Sequence, residues 1–522
     1  MKVRLGRLIF QGLILLSLLA SCTRSWGGDQ PWVPPAAQSS PKNPGGVVST
    51  AAGVQPPVAN LPSVTPFLPA TREPDQPMFT PTPDIERSLP TPRTEELTYT
   101  VQSGDHIGII ADRFGVDAND LVAYNSLANP NLLEVGQVLR IPPTRQAEPG
   151  SSFKIIPDSE LVNGPSAVVN IGEMVANAGG YLSLYHETVD EIWYSGADVL
   201  RRITSEYSVN PRILLAVLEY QSGWATQANP AESTRDYPMR HSNFYRKGLY
   251  RQLAWAANNL SMGYTLWEIN ALSSLKLADG EIVAMDPGIN AGTAGVQYLM
   301  AQLYGRTDWE RASGEQGVFA TYQKLFGYPF DYAFEPLLPP DLSQPDFQLP
   351  FEVGDVWSFT SGPHGGWADG SAWAALDFAP PGDALGCVWS DAWVVAVADG
   401  VIVRSEYGAV VQDLDGDGFE QTGWTVLYMH IETRDRVQVG DFVKAGERIG
   451  HPSCEGGYSS GTHLHIARRY NGVWIAADGD LPFVMDGWVS SGDGIAYNGY
   501  LTRNGITVEA WDRRVEQNQI SR

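Results

Sequence analysis

The histidine pair in His463-Leu464-His465-Ile466 is the part of the sequence with the clearest chemical meaning. Because side chains two positions apart lie on one face of a β-strand, His463 and His465 are predicted to point into one site, while Leu464 and Ile466 face the other way. Imidazole nitrogens bind zinc and, near neutral pH, transfer protons. The pair therefore predicts a metal-binding or catalytic site.

Three further residues could complete that site. Asp377 lies inside the apolar strand predicted over 375–379, where a carboxylate is costly to bury unless a cation or several donors compensate it. His364 precedes a loop rich in glycine, alanine and tryptophan, and His430 ends the β-rich run 425–429. Any one of these histidines alone is more often structural than a ligand. Together the residues offer the nitrogen and oxygen donors of a catalytic zinc site, with one position left to water. The sequence contains no His-Glu-x-x-His, which excludes a helix-borne metalloprotease site.

The elements that carry these residues belong to a long, acidic chain. At 522 residues it is too long for one hydrophobic core, and its 53 glycines and 37 prolines favour turn-rich β domains joined by spacers over a coiled coil. The formal net charge of −24 argues against a nucleic-acid partner. We therefore predict a multidomain α+β protein.

The region 346–505 resembles the lysostaphin-type and β-lytic zinc endopeptidases. Besides the histidines, VVAVADGVIV and VQVGDFVKAGERIG match turn-rich strands of that family, and the twelve residues between His364 and Asp377 match its β-lytic branch. The resemblance implies an antiparallel β domain of the duplicated hybrid motif type with one zinc ion per chain. It also implies that His364, Asp377 and His465 bind the zinc, whereas His430 and His463 are catalytic without binding it.

The N-terminal residues have the pattern of an exported lipoprotein. Residues 1–22 contain basic residues, an apolar run over 8–20 and then Leu19-Ala20-Ser21-Cys22, which resembles a lipobox. The resemblance implies acylation of Cys22; a conventional signal peptide is the alternative. Residues 23–96 are rich in proline, threonine and serine and are predicted to be a disordered linker, because few apolar side chains recur with any period. The mature protein is expected on the outer side of the cell envelope, held to the membrane by lipid.

The two remaining cysteines are predicted to be bonded to each other. Because the expected compartment is oxidising and Cys387 and Cys454 lie in the same region, we predict that they form a disulfide.

One acidic loop is a candidate for a second metal site. The loop 413–418 resembles the opening of a calcium loop. Its twelfth position is Trp424 instead of glutamate, so an acidic hairpin tip is favoured over a Ca²⁺ site.

Residues 97–143 predict a small strand–helix–helix–strand unit. Its pieces YTVQSGDHIGIIADRFGV, LVAYNSL and LLEVGQVLRIP resemble a LysM domain over its whole length. The resemblance implies binding of glycans that contain N-acetylglucosamine, in bacteria usually peptidoglycan; a small domain that only packs on its neighbours is the alternative. Gly104, Asp105 and Asn125 are the candidate carbohydrate-binding residues.

The middle of the chain is predicted to be helical over 196–345, after a connecting segment over 144–195 that shows no motif. PRILLAVLEYQSGW and DPGINAGTAGVQYLMAQL resemble helices of lysozyme-like lytic transglycosylases, in which a Glu-Ser pair supplies the catalytic acid. Here the pair reads Gln221-Ser222, and an amide cannot donate the proton that this chemistry needs. Glu219 lies on a different side of the helix, so we predict an inactive glycan-binding or spacer domain.

These features together predict a lipid-anchored zinc metalloendopeptidase that hydrolyses the peptide part of bacterial peptidoglycan. The LysM unit would raise the local concentration of the enzyme by tethering it to glycan strands. Residues 506–522 are predicted to be a C-terminal tail. The alternative function is a catalytically inactive peptidoglycan-binding scaffold, or an activator of other wall hydrolases.

Overall fold

The computed structural model describes residues 87, 93–102, 105–114, 116, 118–130, 132–143 and 148–522. All of them belong to one compact unit that spans 39–522. The predicted signal peptide with Cys22, nearly all of the predicted linker, and Gly104 lie outside the described residues. Among the helices of the described part, none combines the length and the apolar character that crossing a bilayer requires.

The first described region is a two-stranded antiparallel sheet with two helices, as predicted. Its elements are β1 (Leu97–Thr100), α1 (Ile107–Phe114), α2 (Ala118–Tyr124) and β2 (Val138–Ile141). The strands pair from Leu97 opposite Ile141 to Thr100 opposite Val138. Apolar side chains at helical spacing pack on these strands, and Ile110, Leu121 and Ile141 are fully buried. The predicted order strand–helix–helix–strand is confirmed.

A helical region follows and includes residues that were predicted to be a connecting segment. Its elements are β3 (Glu148–Pro149), α3 (Ile171–Ala178), β4 (His186–Val189), β5 (Ile192–Ser195), α4 (Gly196–Tyr207), α5 (Pro211–Ser222), α6 (Leu249–Glu268), β6 (Ser274–Lys276), β7 (Ile282–Ala284), α7 (Ala291–Ala301), α8 (Arg306–Ala312) and α9 (Ala320–Phe326). One buried cluster extends from Ile155 to Leu337. Because Ile155, Ile156 and Leu182 are apolar and buried in it, the segment 155–195 is part of the same core.

The C-terminal region consists of antiparallel strands. They are β8 (Val356–His364), β9 (Ala375–Ala379), β10 (Val394–Val395), β11 (Gly400–Glu406), β12 (Ala409–Asp413), β13 (Trp424–Met429), β14 (Phe442–Val443), β15 (Arg448–Gly450), β16 (Leu464–Tyr470), β17 (Val473–Trp474), β18 (Val484–Met485), β19 (Trp488–Ser491), β20 (Tyr500–Arg503), β21 (Ile506–Glu509) and β22 (Gln519–Ser521). The main sheet has the order β14-β11-β12-β13-β16-β9-β8-β22, with β17 paired to β16, and β18 to β21 form a second sheet.

The last residues complete the main sheet. Strand β22 pairs with β8 and places Ile520 opposite Trp357, and both side chains are buried. Residues 506–522 are therefore not the separate C-terminal tail that the sequence predicts, because they contribute a strand and core side chains to the C-terminal region.

The helical region packs against the C-terminal sheet through polar contacts. The hydroxyl of Ser208 donates a hydrogen bond of 2.6 Å to the carbonyl of Gly472 in the β16–β17 turn. Helix α6 contacts the loop between β8 and β9 through Gly370. These contacts join the helices to loops that surround the ends of the central strands.

Candidate active site

Four neighbouring strands near the middle of the main sheet bring the predicted site residues together. Strands β13, β16, β9 and β8 are adjacent, and the register places His465 opposite both Met429 and Asp377. His364 is the last residue of β8, and His430 follows the last residue of β13. Antiparallel pairing thus joins residues that lie as far as 101 positions apart in the sequence.

Three of these side chains direct donor atoms to one point. The Nε2 atom of His364 lies 3.0 Å from Nδ1 of His465 and 3.3 Å from Oδ1 of Asp377, and the last two atoms are 3.2 Å apart. A tetrahedral zinc ion with bonds of about 2.0 to 2.1 Å separates neighbouring ligand atoms by about 3.3 Å. The three donors therefore have the spacing of one face of a zinc coordination tetrahedron.

Backbone carbonyls fix the orientation of the two histidine rings. The Nδ1–H group of His364 donates to the carbonyl of Gly362 at 2.8 Å, and the Nε2–H group of His465 donates to the carbonyl of Gly366 at 3.1 Å. In each ring the second nitrogen is then left with a free lone pair directed to Asp377. Such carbonyl partners are typical of histidines that bind a metal, because they select the tautomer and the ring orientation.

Asp377 is a buried carboxylate, and its oxygen Oδ1 lacks a hydrogen bond. The residue is 7% exposed, and within the described part of the chain Oδ1 has no hydrogen-bond partner. Burial alone would raise the pKa of Asp377, but its interactions with the rings of His364, His463 and His465 outweigh burial and hold the pKa well below its usual value. A buried, ionised oxygen without a donor is the arrangement expected of a metal ligand.

The other two predicted histidines, His430 and His463, lie beside the group formed by His364, Asp377 and His465 but do not direct a nitrogen to the same point. The rings of His430 and His463 have their centroids 4.4 Å apart, and Nε2 of His463 lies 3.7 Å from Oδ2 of Asp377. Their Nδ1–H groups donate to the carbonyls of Glu455 and Gly461, at 3.0 and 2.7 Å. Each ring therefore has Nε2 available for proton transfer.

His430 is held in an unusual environment. It has a positive φ of 66°, which non-glycine residues adopt rarely and which is often found at functional sites. Burial, together with His463 and His465, lowers the pKa of His430 well below its usual value. Burial likewise lowers the pKa of His465. Both rings are therefore neutral at physiological pH.

The disulfide lies next to this group. Cys387 and Cys454 are bonded, as predicted, with their Cα atoms 5.7 Å apart. Cys454 directly precedes Glu455, whose carbonyl accepts the hydrogen bond from His430. The bond therefore restrains the segment that orients a candidate catalytic ring.

The remaining predicted site residues have structural hydrogen bonds. Asp105 accepts hydrogen bonds from the Tyr99 hydroxyl and the Gln102 amide, and the side-chain amide of Asn125 both donates to and accepts from the backbone of Arg140. These bonds hold the strand–helix–helix–strand unit together. The part of Asp105 and Asn125 in glycan binding stays a prediction.

The acidic loop after β12 closes on itself. The carboxylate of Asp413 accepts hydrogen bonds from the backbone amides of Asp415 and Gly418. Burial, opposed in part by the Gly418 amide, raises the pKa of Asp413 to about 7. Asp413, Asp415 and Asp417 come close enough together to hold a cation, yet these internal bonds fit the predicted hairpin tip.

Gln221 of helix α5 is buried among other residues of the helical region. Its side-chain oxygen accepts a hydrogen bond from the Tyr304 hydroxyl at 2.6 Å, and the residue is 1% exposed. Glu219 accepts hydrogen bonds from the backbone amides of Ala225 and Thr226 after the helix. In this structure both side chains stabilise the fold of the helical region.

Sequence reasoning missed one aromatic residue of the site. The ring of Tyr497 stacks on that of His364, with centroids 4.7 Å apart and an interplanar angle of 22°. The carbonyl of Tyr497 also accepts a hydrogen bond from the amide of Gly362 at 2.8 Å, and the amide of Tyr497 donates to the carbonyl of Pro363 at 3.0 Å. Tyr497 lies in a turn 133 positions after His364, and no local pattern marks it.

A separate cavity lies outside the histidine cluster. It has a volume of about 490 Å³, and its wall is formed by parts of 352–355 and 380–392 together with Arg514. None of the five site residues lines it. This cavity is therefore separate from the histidine cluster.

Three protein families match successive parts of the chain. Residues 99–142 match the LysM domain, residues 154–339 match the LasA N-terminal domain, and residues 386–477 match peptidase family M23. The last match contains His430, His463 and His465, whereas His364 and Asp377 precede it. The helical region thus has its match in LasA, and its resemblance to lytic transglycosylases stays a prediction.

Individual proteins match the same parts. Protease LasA of Pseudomonas aeruginosa is 26% identical over 306 residues, which cover 54% of this chain and 68% of LasA. The secreted LysM effector ECP6 of Passalora fulva is 45% identical over 49 residues, or 9% of this chain and 22% of the effector. Among solved structures, the M23 metalloprotease pseudoalterin from the deep sea is 25% identical and covers 34% of this chain and 100% of its own, with a TM-score of 0.28. Successive parts of this chain therefore match a LysM domain, a LasA N-terminal domain and an M23 peptidase domain, and the chain is similar to the LasA protease over 54% of its length.

Proposed function

We propose that the chain is a zinc-dependent metalloendopeptidase that hydrolyses peptide bonds of bacterial peptidoglycan. The observation that carries the proposal is the triangle formed by His364, Asp377 and His465, whose donor atoms lie 3.0 to 3.3 Å apart. The Oδ1 atom of Asp377 has no hydrogen bond within the described part of the chain, as expected of an atom that faces a cation. The match of residues 386–477 to peptidase family M23 supports the reaction class.

The residues of the triangle would hold the ion, and the neighbouring histidines would move protons. A zinc ion supplies an acidified water molecule and a Lewis acid for the scissile carbonyl. His430 and His463 each offer a free Nε2, because their Nδ1–H groups are held by backbone carbonyls. One of them would accept the proton of the attacking water. The other would donate a hydrogen bond to the developing oxyanion or a proton to the departing amine.

The substrate proposal rests on the combination of domains. A LysM domain suggests a glycan that contains N-acetylglucosamine, and a metallopeptidase domain acts on peptide bonds. Peptidoglycan contains both in one polymer. Tethering to its glycan strands would raise the concentration of the enzyme near the peptide cross-links.

The location of the protein is proposed from its first residues. Leu19-Ala20-Ser21-Cys22 has the order of a lipobox, and acylation of Cys22 would anchor the protein on the outer side of the envelope. Mass spectrometry of the protein isolated from its host would test this, since a diacylated or triacylated N-terminal cysteine is expected.

Metal content together with digestion of purified peptidoglycan tests the function. We expect one equivalent of zinc per chain, a fall in the turbidity of peptidoglycan suspensions, and loss of this activity on chelation with recovery when Zn²⁺ returns. A chain that binds peptidoglycan but takes up no zinc and releases no peptide would support the alternative scaffold function.

A further inference from the structure

We propose that the helical region is a positioning partner of the zinc site. Helix α6 holds, through Asn258 and Thr265, the loop 365–374, and this loop supplies the carbonyl that orients His465. The inference rests on the proposed function, because it concerns the affinity of the same residues for zinc.

The first step links His465 to the loop. The Nε2–H group of His465 donates to the carbonyl of Gly366 at 3.1 Å, which leaves Nδ1 as the atom that faces Asp377. A shift of this carbonyl would release the ring or favour the other tautomer. Loss of such a partner of a metal-binding histidine commonly weakens metal affinity by about 10-fold to 100-fold.

The second step is the stiffness of the loop. The amide of Gly366 donates to the carbonyl of Ala372 at 3.0 Å, and the amide of Trp367 donates to the hydroxyl of Ser371 at 2.9 Å. That hydroxyl in turn donates to the carbonyl of Ala368 at 3.1 Å. Because these hydrogen bonds join residues 366–368 to residues 371 and 372, a displacement at Gly370 also moves Gly366.

The third step is the contact with the helix. The amide of Gly370 donates to the side-chain oxygen of Asn258 at 2.8 Å, and its carbonyl accepts from the Thr265 hydroxyl at 3.0 Å. Asn258 and Thr265 are seven positions apart and therefore lie on one face of α6. The approach is close, since a Cβ atom at Gly370 would lie 2.1 Å from the backbone oxygen of Asn258.

Another contact between the same two regions provides a matched control. Ser208 donates to the carbonyl of Gly472, which lies at the far end of strand β16. At about 3.3 Å per residue, that turn is roughly 20 Å from His465 along the strand. Loss of either contact would loosen the packing between the helical and C-terminal regions. Only loss of the contact at Gly370 would also shift the carbonyl that orients His465.

The test is the dissociation constant for Zn²⁺ of the full chain, measured by competition with a chromophoric chelator. We expect Asn258→Leu and Thr265→Val each to raise this constant about 3-fold to 10-fold, somewhat less than direct loss of the carbonyl partner. Asn258→Asp and Thr265→Ser, which keep the acceptor and the hydroxyl, should bind Zn²⁺ like the wild type, as should Ser208→Ala. The absorption spectrum of the Co²⁺-loaded chain should change in Asn258→Leu and Thr265→Val but not in the three control variants.

Gly370→Ala approaches the same contact from the loop and should weaken Zn²⁺ binding even where a helix variant folds poorly. The inference is overturned if the Leu, Val and Gly370 variants bind Zn²⁺ like the wild type, or if Ser208→Ala weakens binding to the same extent. A wild-type chain that binds no Zn²⁺ would instead overturn the proposed function, so the two failures are distinguishable.

Discussion

At the scale of single residues, the site depends on which ring nitrogen of each histidine is left free. Each of the four histidines donates a hydrogen bond to one backbone carbonyl. The pairs are His364 with Gly362, His465 with Gly366, His430 with Glu455, and His463 with Gly461. The nitrogen that does not bond to a carbonyl is Nε2 in His364, His430 and His463, and Nδ1 in His465. The sequence identifies the histidines, whereas only the folded backbone determines these nitrogens.

Substitution of Asp377 by asparagine should strongly weaken zinc binding with little change in the shape of the side chain. The amide keeps the volume of the side chain but removes the charge that balances a buried cation. We expect the dissociation constant for Zn²⁺ to rise by more than about 100-fold, beyond the effect of losing an outer hydrogen-bond partner. Unchanged zinc content in Asp377→Asn, measured by mass spectrometry of the metal, would contradict the assignment of this ligand.

Substitution of His430 by alanine should separate catalysis from metal binding. Because His430 offers Nε2 without joining the triangle, His430→Ala should keep its zinc and lose about 100-fold to 10,000-fold in the rate of peptide hydrolysis. His186→Ala, in strand β4 of the helical region, provides the control and should keep both. Loss of zinc in His430→Ala would show that this residue is a ligand instead.

At the scale of elements, local patterns predict the strands of the site but not its supporting contacts. Alternation around His465 predicts a strand with Leu464 and Ile466 in the core, and the structure has both buried in β16. Strand β16 begins at Leu464, one residue after His463, which instead forms an isolated bridge with Ser453. Tyr497 could not be predicted, because its contact depends on packing between distant turns.

Buried apolar residues without a clear period explain the other differences. Ile155 and Ile156 lie in an irregular segment that is neither helix nor strand, so neither the helical nor the strand period applies to them. Their burial is decided by the helices that pack over them. Periodicity alone therefore does not predict that this segment belongs to the core.

Removal of the disulfide should destabilise the C-terminal region. Cys387 and Cys454 are separated by 67 positions, and a cross-link that closes a loop of this size stabilises a protein by about 4 kcal/mol. Cys387→Ser combined with Cys454→Ser should lower the free energy of unfolding by that amount in urea titrations. The wild type should lose as much on addition of a reductant, whereas the double variant should not respond. A wild type whose unfolding is insensitive to reductant would be evidence against a stabilising bond.

At the scale of the whole molecule, a buried group of charges lies where the helical and C-terminal regions meet. Glu420 accepts hydrogen bonds from Arg404 at 3.2 Å and from Arg469 at 2.8 Å, and Arg404 also reaches the carbonyl of Ser205 in helix α4. Burial alone would raise the pKa of Glu420, but Arg404 and Arg469 outweigh it and lower the pKa to about 2. The ionised form of Glu420 is therefore favoured over the protonated form more strongly in the folded protein than in the unfolded chain.

This shift predicts a loss of stability in acid. Because the folded pKa is about 2 and the ordinary value is 4.5, the contribution of Glu420 is complete above pH 4.5 and disappears as the pH falls toward 2. A shift of this size corresponds to about 3 kcal/mol. The difference in unfolding free energy between the wild type and Glu420→Gln should be largest at pH 7 and shrink below pH 4.5. A difference that stays constant from pH 7 to pH 3 would contradict this role.

We propose that one zinc site, built by strands β8, β9, β13 and β16, hydrolyses peptide bonds of the cell wall. Mass spectrometry of the soluble products released from purified peptidoglycan tests this reaction. We expect fragments with new amino and carboxyl termini in the peptide part and intact glycosidic bonds, formed by the zinc-loaded chain and absent with His430→Ala. Products cleaved only in the glycan, or no products from the zinc-loaded chain, would contradict it.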